Sequence, residues 1–223
     1  MKHQSYLTLL VALLAAFALS SCSETDDSVE EYPDWKKKNE AYFASKYATV
    51  KQAIARGDDS WKIFKSYARS SSIEGDATDY ILVKVLREGT GSGSPLFTDT
   101  VRVHYRGQLL ASATHVDSSD SELGYVFDTS WSTDTFDESI FVPSKFSVSG
   151  LVEGFSTALQ HMHIGDRWRV YIPSELGYGS QSSGEVQPYS TLVFDIALAA
   201  YYRPGNKVPQ WNSNKGLFSE ENY

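Results

Sequence analysis

Cysteine is almost missing from this chain. Of 223 residues only Cys22 carries a thiol. A lone cysteine excludes an intramolecular disulfide, so a packed core must supply the stability. A basic surplus is missing too: 20 Lys and Arg stand against 28 Asp and Glu, a net charge of −8 at pH 7. That balance argues against a nucleic-acid phosphate partner. The apolar run from Leu7 to Leu19 is too brief to span a bilayer. No Gly-x-Ser-x-Gly elbow, no phosphate-cradling loop and no internal repeat occurs. His161 and His163 are two apart, which at a helix end sends them to different sides, so no metal pair is expected. No cofactor is implied.

The N-terminus has an order of its own. Lys2 and His3 precede the apolar run, which closes in Leu19-Ser20-Ser21-Cys22. A short positive region, a short apolar region and small residues before a cleavage point form a signal peptide. The arrangement resembles a bacterial lipoprotein signal over residues 1–21. Cys22 would then be the lipidated first residue, its thiol carrying a diacylglycerol; the alternative is a free cysteine behind a plain signal peptide. Removing Met1 to Ser21 takes away one Lys and no carboxylate, which leaves a net charge near −9. Residues 22–31, rich in Asp and Glu, read as a solvated acidic tether between lipid and protein. A second reading is an export address for the outer leaflet.

Residues 32–78 read as an N-terminal helical extension. Pro33 to Arg56 is predicted helical, with Pro33 and Asp34 in the first turn and Gly57 just past the last. Phe43, Tyr47, Val50 and Ile54 form one apolar stripe, with Trp35 and Tyr42 near it. The stripe covers either its own domain or a second copy, as a homodimer. Trp61 to Tyr67 fits a short helix or a strand.

From Tyr80 the period changes to two. Ile81, Val83 and Val85 alternate with Leu82, Lys84 and Leu86; Val101, Val103 and Tyr105 with Arg102, His104 and Arg106; Trp168, Val170 and Ile172 with Arg167, Arg169 and Tyr171. Leu192, Phe194, Ile196 and Leu198 make a further apolar face. His104 falls on a polar face and is expected at the surface. Phe155, Ala158, Leu159 and Met162 recur at i, i+3, i+4, i+7, one face of a short helix. The expectation is an α+β fold, an antiparallel sheet curled around one short central helix. Two long connections, Ala111 to Gly124 and Thr129 to Pro143, are expected to be either functional or mobile, and the first reads as a plain solvated loop. Asp117, Asp120 and Glu122 lack the spacing and the glycine of a calcium loop. The tail, 203–223, either wraps the domain or is disordered.

Several segments carry a family resemblance in order: VHYRG from Val103, VFDTS from Val126, GLVEGFSTALQHMHIGD from Gly150, YIPSELGYG from Tyr171 and STLVFD from Ser190. Jointly they resemble the FKBP-type peptidyl-prolyl isomerases, over residues 79–202. The resemblance implies a proline pocket lined by Tyr105, Phe127, Asp128, Phe146, Leu151, Val152, Phe155, Tyr178 and Phe194. Phe155 would be its floor, and Tyr105, Phe146 and Phe194 its walls. The Tyr178 hydroxyl and the Val152 N–H would hold substrate carbonyls, and Asp128 would orient a side chain or the substrate. The sequence departs from the family at three places: Phe155 stands where Trp is usual, Ser144 where an apolar residue is frequent, and Gln187 where a second proline is common.

The implied activity is rotation of X–Pro bonds in exported polypeptide clients. The implied setting is the periplasmic face of an outer membrane, or the cell surface. Macrolide inhibitors of the family are implied ligands. The competing reading is a non-catalytic module that holds an extended partner segment in an envelope assembly.

Overall fold

The computed structural model describes residues 29–133, 135–212 and 217–218. The signal segment and Cys22 lie outside them. Helix α1 spans Trp35–Ala55. Strand β1 (Trp61–Lys65) resolves the undecided segment as a strand. It is followed by β2 (Tyr80–Arg87), β3 (Thr100–Leu110), β4 (Leu123–Thr129) and β5 (Ser144–Ser147). Then come helix α2 (Glu153–His161), β6 (Arg167–Ile172) and β7 (Leu192–Tyr202). The short strands β8 (Trp211–Asn212) and β9 (Leu217–Phe218) pair with each other. The main sheet is antiparallel, in the order β1-β2-β6-β7-β3-β4, with β5 also paired to β3.

Helix α2 fills the concave face of the sheet. Phe155, Ala158 and Leu159 are buried as the period predicts, with Met162 one residue past the helix. Gly154 makes this seat possible, because a Cβ there would overlap the Ile172 side chain of β6. Phe64 of β1 stacks on His161 at 4.0 Å and on Trp168 at 5.8 Å, which closes the far end of the same layer.

The opposite face is covered as well. Helix α1 lies on it, with Trp35, Asn39, Phe43, Val50 and Ala53 buried and Ile54 left exposed at the margin. The stripe therefore packs on its own domain. The helix begins two residues later than predicted, because Asp34 adopts a left-handed φ of 50°. Gly57, at φ 88°, ends it where expected. Two buried hydrogen bonds fix α1 to the residues entering β7: Trp35 Nε1 donates to Ser190 Oγ at 2.9 Å, and Thr191 N donates to Asn39 Oδ1 at 2.7 Å.

This second layer overturns two expectations. Leu82, read as outward and polar-facing, is fully buried, because its face of β2 lies under α1. His104, expected at the surface, is only 1% exposed. The connection 129–143 folds back over it, with the Phe136 ring 5.2 Å away, and Trp211 of the tail lies at 6.4 Å. Trp131 is buried in the same cap, 4.7 Å from Phe136. Arg102 holds the cap down by donating to the carbonyls of Pro143 and Pro209, so the tail wraps the domain at least to Trp211.

The connection 111–124 is docked rather than free. Asp117 accepts from Gln108, Asp120 from Arg169, and Glu122 from Tyr42 and Lys46. Among the described residues no group of acidic or histidine side chains forms a metal site. Glu31, assigned to the solvated tether, is tied to the same loop. Its carboxylate accepts hydrogen bonds from Ser112, Thr114 and His115, which hold its pKa down to about 2.

His104 gives the first test. Neither ring nitrogen has a hydrogen-bond partner among the described residues. Burial lowers its pKa from 6.5 to about 4, against a smaller upward pull from Glu138. Between these two values the unfolded chain binds more protons than the folded one. Stability from this group is therefore intact above about pH 6.5 and lost as pH falls towards 4, by at most about 3 kcal/mol. Denaturant titrations at pH 7 and pH 4 should show a smaller acid-induced loss for His104→Phe than for the parent chain. Equal losses would remove His104 as the acid-sensitive group.

Candidate functional site

The site lies where α2 meets the strands β3, β4 and β7. Val152 precedes the helix in extended conformation, and Phe155 sits in its first turn. Phe155 is 3% exposed and forms the base of an aromatic cluster. Its ring meets Phe194 at 5.0 Å and Tyr105 at 6.2 Å, both edge-to-face. Phe194 in turn meets Phe127 at 5.4 Å and an interplanar angle of 87°. Tyr105 meets Phe146 at 5.5 Å. Edge-to-face geometry lets each ring present its positive edge to a neighbour's negative face, which fixes the rings relative to one another.

The polar groups are few. Tyr105 donates its hydroxyl to Asp128 Oδ2 at 2.8 Å. Burial, then the hydrogen bond and the charge of Asp128, push the Tyr105 pKa far above its ordinary value, so it stays a donor throughout the physiological range. Asp128 itself is exposed at the rim. Tyr178 is half-buried on the loop after β6, and among the described residues its hydroxyl has no hydrogen-bond partner. The Val152 N–H is also without a partner among them. Leu151 and Val152 are half-buried against the core. The structure thus links Tyr105, Phe127, Asp128, Phe146, Phe155 and Phe194 through ring contacts and one hydrogen bond, and packs Leu151, Val152 and Tyr178 against the same core.

Two residues at the site escaped the sequence reading. Gly107 of β3 lies beneath Phe127 and Phe194, and a Cβ there would stand 2.5 Å from Phe194 Cε1 and 2.6 Å from Phe127 Cζ. A glycine inside a strand pattern marks such close approaches, so this signal was present in VHYRG. Ser144, noted only as a departure, lies close enough to the Tyr105 hydroxyl to lower its pKa slightly against the larger upward pulls. No local pattern announces that contact.

Comparison with known proteins places this geometry. Residues 92–199 match the family described as FKBP-type peptidyl-prolyl cis-trans isomerase. That segment, about half of the chain, is thus similar to an FKBP-type domain. It is 36% identical over 116 residues to the FKBP-type 22 kDa peptidyl-prolyl cis-trans isomerase of Escherichia coli strain K12, covering 52% of this chain and 47% of that protein. It is 35% identical over 116 residues to the outer membrane protein MIP of Legionella longbeachae, covering 52% and 41%. Among solved structures, a peptidyl-prolyl cis-trans isomerase of Pseudomonas syringae pv. tomato superposes with a TM-score of 0.46 at 26% identity. That match covers 73% of this chain and 96% of the other. The chain spans about half or less of the length of these two curated relatives.

The pocket walls make a prediction. Gly107→Ala keeps an accessible backbone and gains a little unfolded-state entropy, about 0.4–1 kcal/mol. The new methyl must displace two packed rings, at about 1–3 kcal/mol. The net expectation is a lower melting temperature with altered near-ultraviolet circular dichroism. A variant that melts higher with an unchanged aromatic spectrum would show that the rings are not held as described.

Proposed function

We propose that the protein is a peptidyl-prolyl cis-trans isomerase acting on proline-containing polypeptides in the cell envelope. The observation that carries this reading is the ring cluster of Tyr105, Phe127, Phe146, Phe155 and Phe194, with the free Val152 N–H and Tyr178 hydroxyl at its rim. The X–Pro barrier arises from partial double-bond character in the amide. The resonance form responsible separates charge, and an apolar surface disfavours it. The twisted amide has less of that character, so an apolar site favours it relative to the planar one. One or two donors suffice to hold the flanking carbonyls. No nucleophile or proton transfer is required, and each tenfold acceleration needs only about 1.4 kcal/mol. Asp128 serves by orienting the Tyr105 hydroxyl.

For the location, support comes from the signal-like segment ending at Cys22 and from a relative named as an outer membrane protein. Among the described residues no helix is long and apolar enough to cross a membrane. A lipid on Cys22, facing the periplasm, is the anchor we propose. The binding-module reading has less support: Trp131, whose exposure would have suited it, is buried.

Activity and site are tested together in a protease-coupled assay with a peptide bearing a bulky apolar residue before proline. Acceleration is expected, modest beside a Trp-floored relative. Tyr178→Phe removes one hydroxyl and little volume. It should lower catalytic efficiency about two- to tenfold, the value of one hydrogen bond, with little change in melting temperature. Unchanged catalysis with lowered stability would assign Tyr178 to the core. Phe155→Ala should lower both, the stability by about 3–5 kcal/mol.

The anchor has a separate test. Cys22→Ser should block fatty-acid labelling and leave an unprocessed precursor. Labelling that persists in the variant would remove the lipid claim. Membrane retention alone decides nothing, because an uncleaved apolar segment also binds membranes.

A further inference from the structure

Strand β1 stands at the edge of the main sheet, paired on one side only. Its register with β2 sets Trp61 opposite Lys84 and Ile63 opposite Leu82. The bonds from Val85 N to Ser60 O and from Ser66 N to Asp79 O, in the same register, show which residues turn towards β2. They are the even-numbered ones. Trp61, Ile63 and Lys65 therefore point their N–H and C=O groups away from the sheet. Among the described residues no backbone hydrogen bond reaches them. Five residues of regular strand thus expose an unused ladder, a feature that folded proteins normally block. Its flanks are apolar: Ile54 is 39% and Tyr67 59% exposed.

What covers the edge follows from the order of its side chains. The strand reads Trp-Lys-Ile-Phe-Lys. An antiparallel copy centred on Ile63 sets Ile63 against its own counterpart. Trp61 then meets Lys65 of the other copy on one face, and Lys62 meets Phe64 on the other. Every lysine faces an aromatic ring and no lysine faces a lysine. Opposed cation–ring pairs stabilise a cross-strand contact, whereas opposed like charges weaken it. The outward residues Trp61, Ile63 and Lys65 are those that exchange both hydrogen bonds in this register, so ladder and side chains agree. The lysines obstruct an arbitrary strand and suit this one. A two-fold axis through Ile63 makes the contact self-complementary and closed.

We propose that β1 is a homodimerisation edge, in which two copies of this chain join their sheets antiparallel about Ile63. The contact is distinct from the apolar stripe of α1, which is spent on the chain's own domain. It depends on the fold alone and stands whether or not the protein is an isomerase.

Cross-linking in the full chain, with Cys22→Ser removing the native thiol, tests the register. With a short bis-maleimide, Ile63→Cys should link to itself, and Trp61→Cys should link to Lys65→Cys when the two are mixed. Tyr67→Cys, more exposed but eight residues out of register, or about 27 Å along the strand, should link to itself at least about tenfold less. Ile63→Pro removes an outward N–H without touching the β1–β2 ladder, so the fold should persist while the dimer is lost in sedimentation velocity. Linking at Tyr67 equal to that at Ile63, or no linking at Ile63 and none in the mixed pair, overturns the proposal. So does a dimer that survives Ile63→Pro, or preferential linking of Ile63→Cys to an added proline peptide that carries one cysteine. The mixed pair keeps the test decisive if a change at Ile63 unfolds the chain.

Discussion

The close seat of α2 against β6 is the constraint from which the rest of the site follows. Gly154 has no Cβ, and the Ile172 side chain occupies the space that one would need. The helix therefore enters the concave face of the sheet at its first turn rather than riding above it. That depth sets Phe155 among Phe194 and Tyr105, and leaves Val152 just outside the helix. A larger residue at position 154 would lift the turn, separate the floor from its walls and leave a cavity beneath. Packing energy and pocket geometry are thus consequences of one contact, since cores answer to changes of a single methylene.

Burial on both faces of the sheet is the second constraint. A sheet whose concave side is filled by α2 still has a convex side to cover, and this chain covers it with parts that lie far away in sequence. Helix α1 takes the half above β2 and β6, anchored by Asn39 and Trp35. The cap of Trp131, Phe136 and Trp211 takes the part above β3. Polar residues on that side meet partners in place of water. Arg169 is clasped by Asp195 at 2.8 Å and Asp120 at 3.0 Å, and Tyr171 lies under Trp61 and Lys46. These pairs tie the connection 111–124 to the sheet. The acidic surplus of the chain is consequently distributed in part as ion pairs with the convex face.

Sequence patterns revealed much of this because they report local geometry. Period two gave β2, β3, β6 and β7, and period 3.6 gave α1 and α2, since both periods follow from the backbone of each element. The nine pocket residues came from a likeness of ordered motifs, and the rings do converge. What local patterns could not show is which face receives a second layer. Leu82 and His104 sit at positions that alternate correctly and are buried nonetheless, because the covering elements arrive from 27 or more residues away in the chain. Trp61–Lys65 was undecided for a different reason. Five residues with apolar side chains on both faces satisfy neither period alone, and only pairing with β2 selects the strand.

The same two-sided burial explains why the edge at β1 is the weak point of the architecture. At the other margin of the sheet the edge is divided between β4, whose pairing with β3 is interrupted by register shifts, and the four-residue β5, so neither offers an edge as regular as β1. At β1 nothing comparable follows, because the chain leaves Lys65 into a turn and returns as β2 on the inner side. Lys65 itself spans this exit, donating to the carbonyl of Ser70 at 2.7 Å. A straight, regular strand with open donors and acceptors is stable only if water or another strand satisfies them. The side chains that stand beside those donors decide which of the two is favoured. On this edge Trp61, Ile63 and Phe64 contribute apolar surface that water does not reward, and Lys62 and Lys65 contribute charges that a ring can accept. The edge therefore discriminates among strands by register, and its own sequence is one that satisfies it.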